Sequence, residues 1–253
     1  MGFKRLFLYI GFTFLFSSVL KAQIINVESA RKVTDTSGWA GDLSISGAYL
    51  NINTPIWNFS TKSDLQYKNK KHLAMFLTDW SLVQSKENDF NNALYLHLRY
   101  NYKINALIRV EAFTQYQFNK IKRIDSRYLL GGGPRFKLLE KDFLKIYFGS
   151  LIMSEWENQN NNIDEIVHLI RSSSYLSFTV LKDDMIEFYS TTYYQPSFSH
   201  WKNFRIFNEE ILEIKITEIL TFINRFGYSF ESYPILDAPK STFQFSFGLK
   251  LEF

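Results

Sequence analysis

The sequence predicts an all-β chain, a transmembrane antiparallel up-and-down β-barrel of about twelve strands. Three observations carry that expectation. Apolar and polar residues alternate with period two through one segment after another. Aromatics make up 18% of the 253 residues, with 25 Phe and 15 Tyr, yet no long apolar run stands outside the N-terminus. Each alternating segment has roughly ten to fourteen residues, enough to cross a bilayer at a tilt.

The N-terminus is read first. Met1-Gly-Phe-Lys-Arg5 is a short basic head. Leu6–Leu20 is an apolar stretch of about fifteen residues, short for a spanning helix. Lys21-Ala22 follows with a small residue, so 1–22 reads as a secretory signal peptide cut after Ala22. Residues 23–37 are polar and patternless and read as a short periplasmic lead. Residues 38–253 read as the barrel.

The alternating segments then follow in order. Gly38–Leu50 sets Leu43, Ile45 and Tyr49 against Asp42, Ser44 and Ser46, and Asn51–Pro55 reads as a turn. Ile56–Tyr67 sets Trp57, Phe59, Leu65 and Tyr67 against Lys62, Asp64 and Gln66, with a turn at Lys68–Lys71. His72–Val83 sets Phe76 and Trp80 against Asp79 and Ser81, with a turn at Ser85–Asp89. Phe90–Lys103 is among the clearest: Leu94, Leu96, Leu98, Tyr100 and Tyr102 oppose Tyr95, His97, Arg99 and Asn101. Leu107–Phe118 sets Ile108, Val110, Tyr116 and Phe118 against Arg109, Glu111, Gln115 and Gln117. Ile124–Leu138 carries Arg127 and Arg135 on its polar face, with Gly131–Gly133 relieving crowding or bending the strand.

In the second half, Phe143–Trp156 turns Leu144, Ile146, Phe148 and Ile152 out and Lys145, Tyr147 and Glu155 in. Ile166–Leu181 is a strand whose phase the sequence does not fix. Met185–Gln195 sets Ile186 and Phe188 against Glu187, Tyr189 and Tyr193. Phe204–Ile216 ends with Leu212, Ile214 and Ile216 out and Glu213 and Lys215 in. Ile219–Glu231 turns Leu220, Phe222, Phe226, Tyr228 and Phe230 out and Arg225 and Glu231 in. Ser241–Phe253 alternates without a break to a terminal aromatic, and Phe253 reads as an assembly signal. That last strand is expected to pair with Gly38–Leu50, because a free edge in lipid leaves backbone groups without partners.

Connections after even-numbered strands are short, and those after odd-numbered strands lengthen toward the C-terminus through 157–164, 196–203 and 232–240. Short turns on one side and longer loops on the other place both barrel termini in the periplasm of a Gram-negative envelope. Trp57, Tyr67, Trp80, Tyr100, Tyr102, Tyr116, Trp156 and Tyr228 recur near strand ends, as interfacial girdles do.

The second face is charged rather than merely polar, which separates a barrel lumen from the hydrated face of a soluble sandwich less sharply than strand length and export do, but agrees with both. His97, Arg99, Arg109, Glu111, Arg127, Arg135, Glu155, Glu187 and Arg225 are the lumen candidates. The absence of Cys excludes disulfides, thiolate metal sites and cysteine nucleophiles. The formal charge of +4 drops to +1 once Lys4, Arg5 and Lys21 leave with the signal peptide, so nucleic acid is not an expected partner.

From Gly38-Trp-Ala-Gly41 through Gly47 the chain resembles the start of the YdiY-like outer-membrane proteins, the domain of unknown function 481. The resemblance is strongest over Ala112-Phe113, Asp125–Gly133 with its Arg127-Tyr128 and glycines, and Gly149–Glu155. It departs at Asn51-Ile-Asn-Thr54, where that family usually carries a Gly-Asn turn. It implies an outer-membrane barrel linked to envelope stress and no established activity.

Catalytic, cofactor and metal sites are not expected. Ser199-His200 is the only neighbouring Ser–His pair, and neighbours in extended chain point apart. Glu157–Asp164 is rich in oxygen but lacks the glycine and spacing of a calcium loop. Gly131–Pro134 precedes no helix and is not a phosphate loop. The expected function is a monomeric structural or passive small-solute permeation barrel with a charged lumen. Expected partners are outer-membrane lipid, lipopolysaccharide, the barrel assembly machinery, periplasmic chaperones and a small solute. The alternatives are a lipid-modifying hydrolase and a module that binds through extracellular loops.

Overall fold

The computed structural model describes residues 27–28, 30–31, 37–52, 54–85, 88–159, 166–183, 185–234 and 238–251. The signal peptide and the Phe253 assembly signal lie outside them. Twelve strands follow one another: β1 (Gly38–Ile52), β2 (Thr54–Asn69), β3 (His72–Ser85), β4 (Asn88–Lys103), β5 (Ile108–Asn119), β6 (Ile124–Lys141), β7 (Leu144–Gln159), β8 (Ile166–Lys182), β9 (Ile186–Pro196), β10 (Phe204–Lys215), β11 (Leu220–Glu231) and β12 (Ser241–Leu251). Each pairs antiparallel with its chain neighbours in one sheet ordered β1 to β12. The chain is therefore all-β and up-and-down, and its described residues contain no helix.

Period-two patterning decides which side each residue faces. In β4, Ala93, Tyr95, His97, Arg99 and Asn101 are buried inside, while Leu98 and Tyr100 stand 48% and 44% exposed on the outer surface. The apolar side is thus the one that faces away from the interior, the reverse of a soluble barrel. In β8, whose phase the sequence leaves open, Arg171, Ser173, Tyr175 and Ser177 turn in and Ile170 and Leu176 turn out.

β1 to β4 and β6 to β8 run longer than patterning suggests, while β5 and β9 keep the expected length. The Asn51–Pro55 turn is shorter than expected: Asn51 pairs with Pro55 and Ile52 with Thr54, leaving one residue between strands. Pro55 fits because it lies near the strand start, where a missing N–H costs least. Connections after even-numbered strands stay tight, with Lys70 and Asp183 at φ 51° and 53° closing two of them. We call this the turn end of the barrel and the opposite one the loop end.

Aromatic contacts collect at both ends. Trp39–Tyr67 and His72–Tyr100–Tyr102 lie at the turn end. Tyr49–Trp57–Phe59, Tyr116–Tyr128 and Trp156–His168 lie at the loop end. Amphipathic rings at two levels suit a slab with two polar boundaries.

The expected ladder between the last strand and Gly38–Leu50 is not formed among the described residues: β1 pairs with β2 and β12 with β11. The physical reason lies inside. Inward positions of these strands are Asp42, Ser44 and Ser46 on β1 and Gln244, Ser246 and Gly248 on β12. None joins a buried apolar cluster that would draw the edges together.

Candidate functional site

The interior is built in layers. At the loop end, β6, β7, β8, β10 and β11 each send in a charged side chain. Arg127 donates to Glu157, its cross-strand partner. Arg205 reaches Glu155, Glu157 at 3.2 Å and Glu231. Arg171 lies 3.4 Å from Glu155 and donates to the Asn203 carbonyl at 3.1 Å, tying the 197–203 loop to the wall. Arg127, Arg171, Arg205, Glu155 and Glu157 are all buried. Lys122, in the turn before β6, sits beside this layer. Burial brings its ammonium down to about 8, with Arg127 and Arg205 adding and Glu231 opposing.

Beneath it lies an apolar filling: Phe113, Leu129, Leu151, Met153, Tyr175, Tyr193 and Phe207 form one buried cluster. Glycine makes room for it. A Cβ on Gly149 would stand 2.1 Å from the Tyr175 ring, and one on Gly131 2.7 Å from Phe113. Side chains from β5 to β10 therefore fill their side of the lumen from its middle to the loop end.

A second charged layer follows. Arg99 donates to Glu111 at 3.0 Å, and the Tyr175 hydroxyl donates to the same carboxylate at 3.0 Å. Arg99 Nε also donates to His97 Nε2 at 3.3 Å, so His97 Nδ1 carries the proton toward Gln115 Oε1 at 3.1 Å. Arg109 and Arg135 are directly opposite each other across β5 and β6. Their guanidiniums share one ring, Tyr147, with Cζ at 5.9 and 3.8 Å from its centroid.

The lead contributes the rest of this layer. Sequence patterning marks residues 23–37 as a periplasmic lead; of these, 27, 28, 30 and 31 lie inside the lumen, and Ser37 is exposed just before β1. Val27 packs on Met75, Leu77 and Tyr95. Glu28 accepts from Arg135 at 2.6 Å and Arg31 at 2.9 Å, with Arg99 at 3.9 Å. Arg31 donates to Glu111 at 2.6 Å and Asn101 at 3.2 Å. Burial alone would raise the Glu28 carboxyl, but Arg135, Arg31 and Arg99 outweigh it and bring it down to about 2. Burial likewise opposes the charge of Arg31, and Glu28 and Glu111 hold it above its usual range. A segment without period carries no signal of its own, since its position is set by tertiary partners.

A cavity of about 1490 Å³ runs from the turn end, where Lys68, Lys103, Arg109, Lys145, Glu187 and Glu213 line it, along β10 to β12 as far as Ser229 and Thr242. The nine lumen candidates thus separate into three places. His97, Arg99, Arg109, Glu111 and Arg135 belong to the second charged layer, and of these Arg109 and Arg135 line the cavity. Arg127 and Glu155 belong to the loop-end layer. Glu187, which accepts from Tyr189, and Arg225 stand apart on the cavity wall. Arg171, Arg205, Tyr175, Glu28 and Arg31 complete the charged layers and are not among the lumen candidates, and Glu157, read from sequence as the start of a polar loop, joins them from within β7. Alternation within Phe204–Ile216 places Arg205 on the face of Glu213 and was the available signal for it.

Other candidate chemistry is not assembled. Ser199 Oγ contacts Ser197 Oγ at 2.9 Å, while the His200 ring meets Tyr233 edge-on. Ser154 lies 3.2 Å from His168 Nε2 on the outer surface. The backbone around Ser154 is committed to its ladders with β6 and β8, which leaves no N–H donors for an oxyanion. No group of three or more metal-ligating side chains occurs among the described residues, and most of the 157–164 loop lies outside them.

A family model described as "Protein of unknown function, DUF481" matches residues 43–253. No curated protein matches. Among solved structures, the chain is similar to the NanC porin at 12% identity and a TM-score of 0.50, over 85% of this chain and 99% of that one. It is also similar to the KdgM porin at 9% identity and 0.45, over 85% and 99%. The translocator domain of the autotransporter NalP from Neisseria meningitidis matches at 8% and 0.49, over 90% and 92%. At 12% identity the NanC likeness is one of fold, the outer-membrane β-barrel.

Proposed function

The chain belongs to the DUF481 family, a family of unknown function, and we propose that it is a closed outer-membrane barrel that binds small solutes in a cavity open to the periplasm. One observation carries this reading: a cavity of about 1490 Å³ at the turn end lies beside a lumen whose β5 to β10 side is filled by buried side chains. The turn end faces the periplasm in this assignment, with both barrel termini, because the longer loops belong outside the cell. The apolar outer surface suits lipid and the two aromatic levels suit its boundaries. The Gram-negative outer membrane, its lipopolysaccharide, the assembly machinery and periplasmic chaperones follow as the surroundings of such a chain. We read it as non-enzymatic.

Of the two sequence expectations, a structural barrel or a passive pore, the filled lumen favours the first with binding added. A steady pore needs a wide continuous water path, and Arg171, Arg205, Met153 and Tyr175 take up its cross-section, each 6% exposed or less. The test is purified full-length protein in planar bilayers. Insertion without steady ohmic current is the expected result. A reproducible open-state conductance from the unmodified chain would sink the closed-barrel reading.

A further inference from the structure

At the floor of the cavity, the barrel wall presents a cluster of guanidiniums whose hydrogen-bonding capacity is not used up. Arg109 and Arg135 are cross-strand partners on β5 and β6, so both project to the same side at the closest spacing a sheet allows. Like charges in that relation repel unless an anion lies between or beside them. Arg109 Nη1 and Arg135 Nε are buried and make no hydrogen bond, with Arg135 Nε in an ion pair with Glu111 at the longer distance of 3.7 Å. Buried donors left in that condition cost free energy that a ligand can return. The Tyr147 ring lies 3.8 Å from the Arg135 guanidinium and 5.9 Å from that of Arg109, and both arginines line the cavity.

The lead already places one carboxylate in this cluster. Glu28 binds Arg135 through Nη2 and stands near Arg99, leaving Arg109 outside its contacts. Its neighbour Val27 and the partly buried Ala30 rest against Met75 and Leu77 from the wall. A side chain on the segment that precedes β1 is a tethered occupant rather than a part of the wall. Any solute that reaches the cavity and carries two or more oxygens on one negative centre offers the same chemistry, and it has Arg109 to gain.

We propose that Arg109 and Arg135 form a binding site for a small oxyanion solute, carboxylate or phosphate, with Arg99 behind it, and that Glu28 occupies the Arg135 side of this site until the solute displaces it. This deepens the reading of the cavity as a binding chamber and rests on it. Guanidinium forks match both planar carboxylates and tetrahedral phosphates in a two-point manner. Displacement follows competition: an internal occupant lowers the fraction of sites open to ligand, and apparent affinity falls by that fraction.

The experiment uses the full chain in detergent micelles, with inorganic phosphate and succinate as separate probes and ionic strength held constant with chloride. Because the chain has no Cys, Ala30→Cys gives a single thiol whose maleimide labelling reports whether the lead is seated. Either probe should accelerate labelling severalfold, and the pair of arms shows which oxyanion the site prefers. Glu28→Gln should lower the apparent dissociation constant for the effective probe about tenfold by removing the competitor. Arg109→Gln should weaken binding at least about tenfold, and because Arg109 holds none of the ion pairs of the charged layers, that variant keeps the fold. Labelling that neither probe changes, with titration calorimetry showing no binding to the Glu28→Gln variant, would overturn the proposal. Conductance in bilayers is a separate readout, so an open pore would remove the closed-barrel reading without deciding this one.

Discussion

Arg205 is the residue on which the loop-end layer turns. It reaches Glu155, Glu157 and Glu231 on two other strands. Removing a buried partner leaves uncompensated charge, which costs more than the pair itself contributes. Arg205→Met should therefore lower unfolding free energy by about 3–5 kcal/mol in lipid vesicles, followed by tryptophan fluorescence in denaturant. Arg225→Met, on the cavity wall, should cost under about 1 kcal/mol in the same assay. Equal losses from the two would show that the layer does not act as a network. Lys122 makes the complementary point with pH. Its ammonium sits at about 8 in the folded chain against 10.5 when unfolded. The unfolded chain thus binds more protons between those values, and stability attributable to this residue rises with pH through that window. Below pH 8 the burial cost is fully present. Lys122→Met should be more stable than the parent at pH 7, with the gap narrowing from pH 8 to 10. A gap that stays constant would mean that Lys122 is hydrated.

At the scale of the element, each strand is a device for showing lipid one face and the lumen another, and β10 breaks its own rule. Ile206, Leu212 and Ile214 face outward, but so do Asn208 and Glu210, alternating with the buried Phe207 and Ile211. Asn208 satisfies itself on Thr192 of β9 at 3.0 Å. Glu210 lies midway along the strand, where a charge facing hydrocarbon is destabilising. Glu210→Leu should raise stability in bilayers by about 1–2 kcal/mol, measured by reversible unfolding from vesicles. A loss instead would mean that this face meets a polar neighbour within the membrane. Strands were the most legible level of the structure, because alternation alone places His97, Arg99, Arg109 and Glu111 on one side. What it does not disclose is what fills the lumen. Phe113, Leu151 and Met153 turn inward from strands whose outward faces are equally apolar, so hydropathy gives no contrast. β8 hides Arg171 for the opposite reason: Ser172 and Ser174 face outward, and polarity appears on both sides.

The whole molecule raises the question of closure, which no single strand answers. Neither Glu28 and Arg31 inside the lumen nor the gap between β1 and β12 is written in periodicity, since both depend on parts far apart in the chain. Ladders run from β1 to β12 and stop. In water the two edges satisfy their N–H and C=O groups with solvent. In hydrocarbon each bare group costs several kcal/mol, so the bilayer supplies the force that the small inward side chains of β1 and β12 do not. The seam should therefore zip in the membrane. Outward residues of antiparallel neighbours lie close enough to bridge, with Cα atoms under about 7 Å. Ile45→Cys on β1, combined in turn with Phe245→Cys, Phe247→Cys or Leu249→Cys on β12, has no native thiol to compete with it. In vesicles, mild oxidation should trap one of these pairs selectively, while Ser246→Cys, on the lumen side of β12, should not bridge. That single pair would fix the register of the seam. If none crosslinks in a chain that is membrane-inserted and protease-resistant, the barrel carries an open lateral edge, and lipid or another chain must line it.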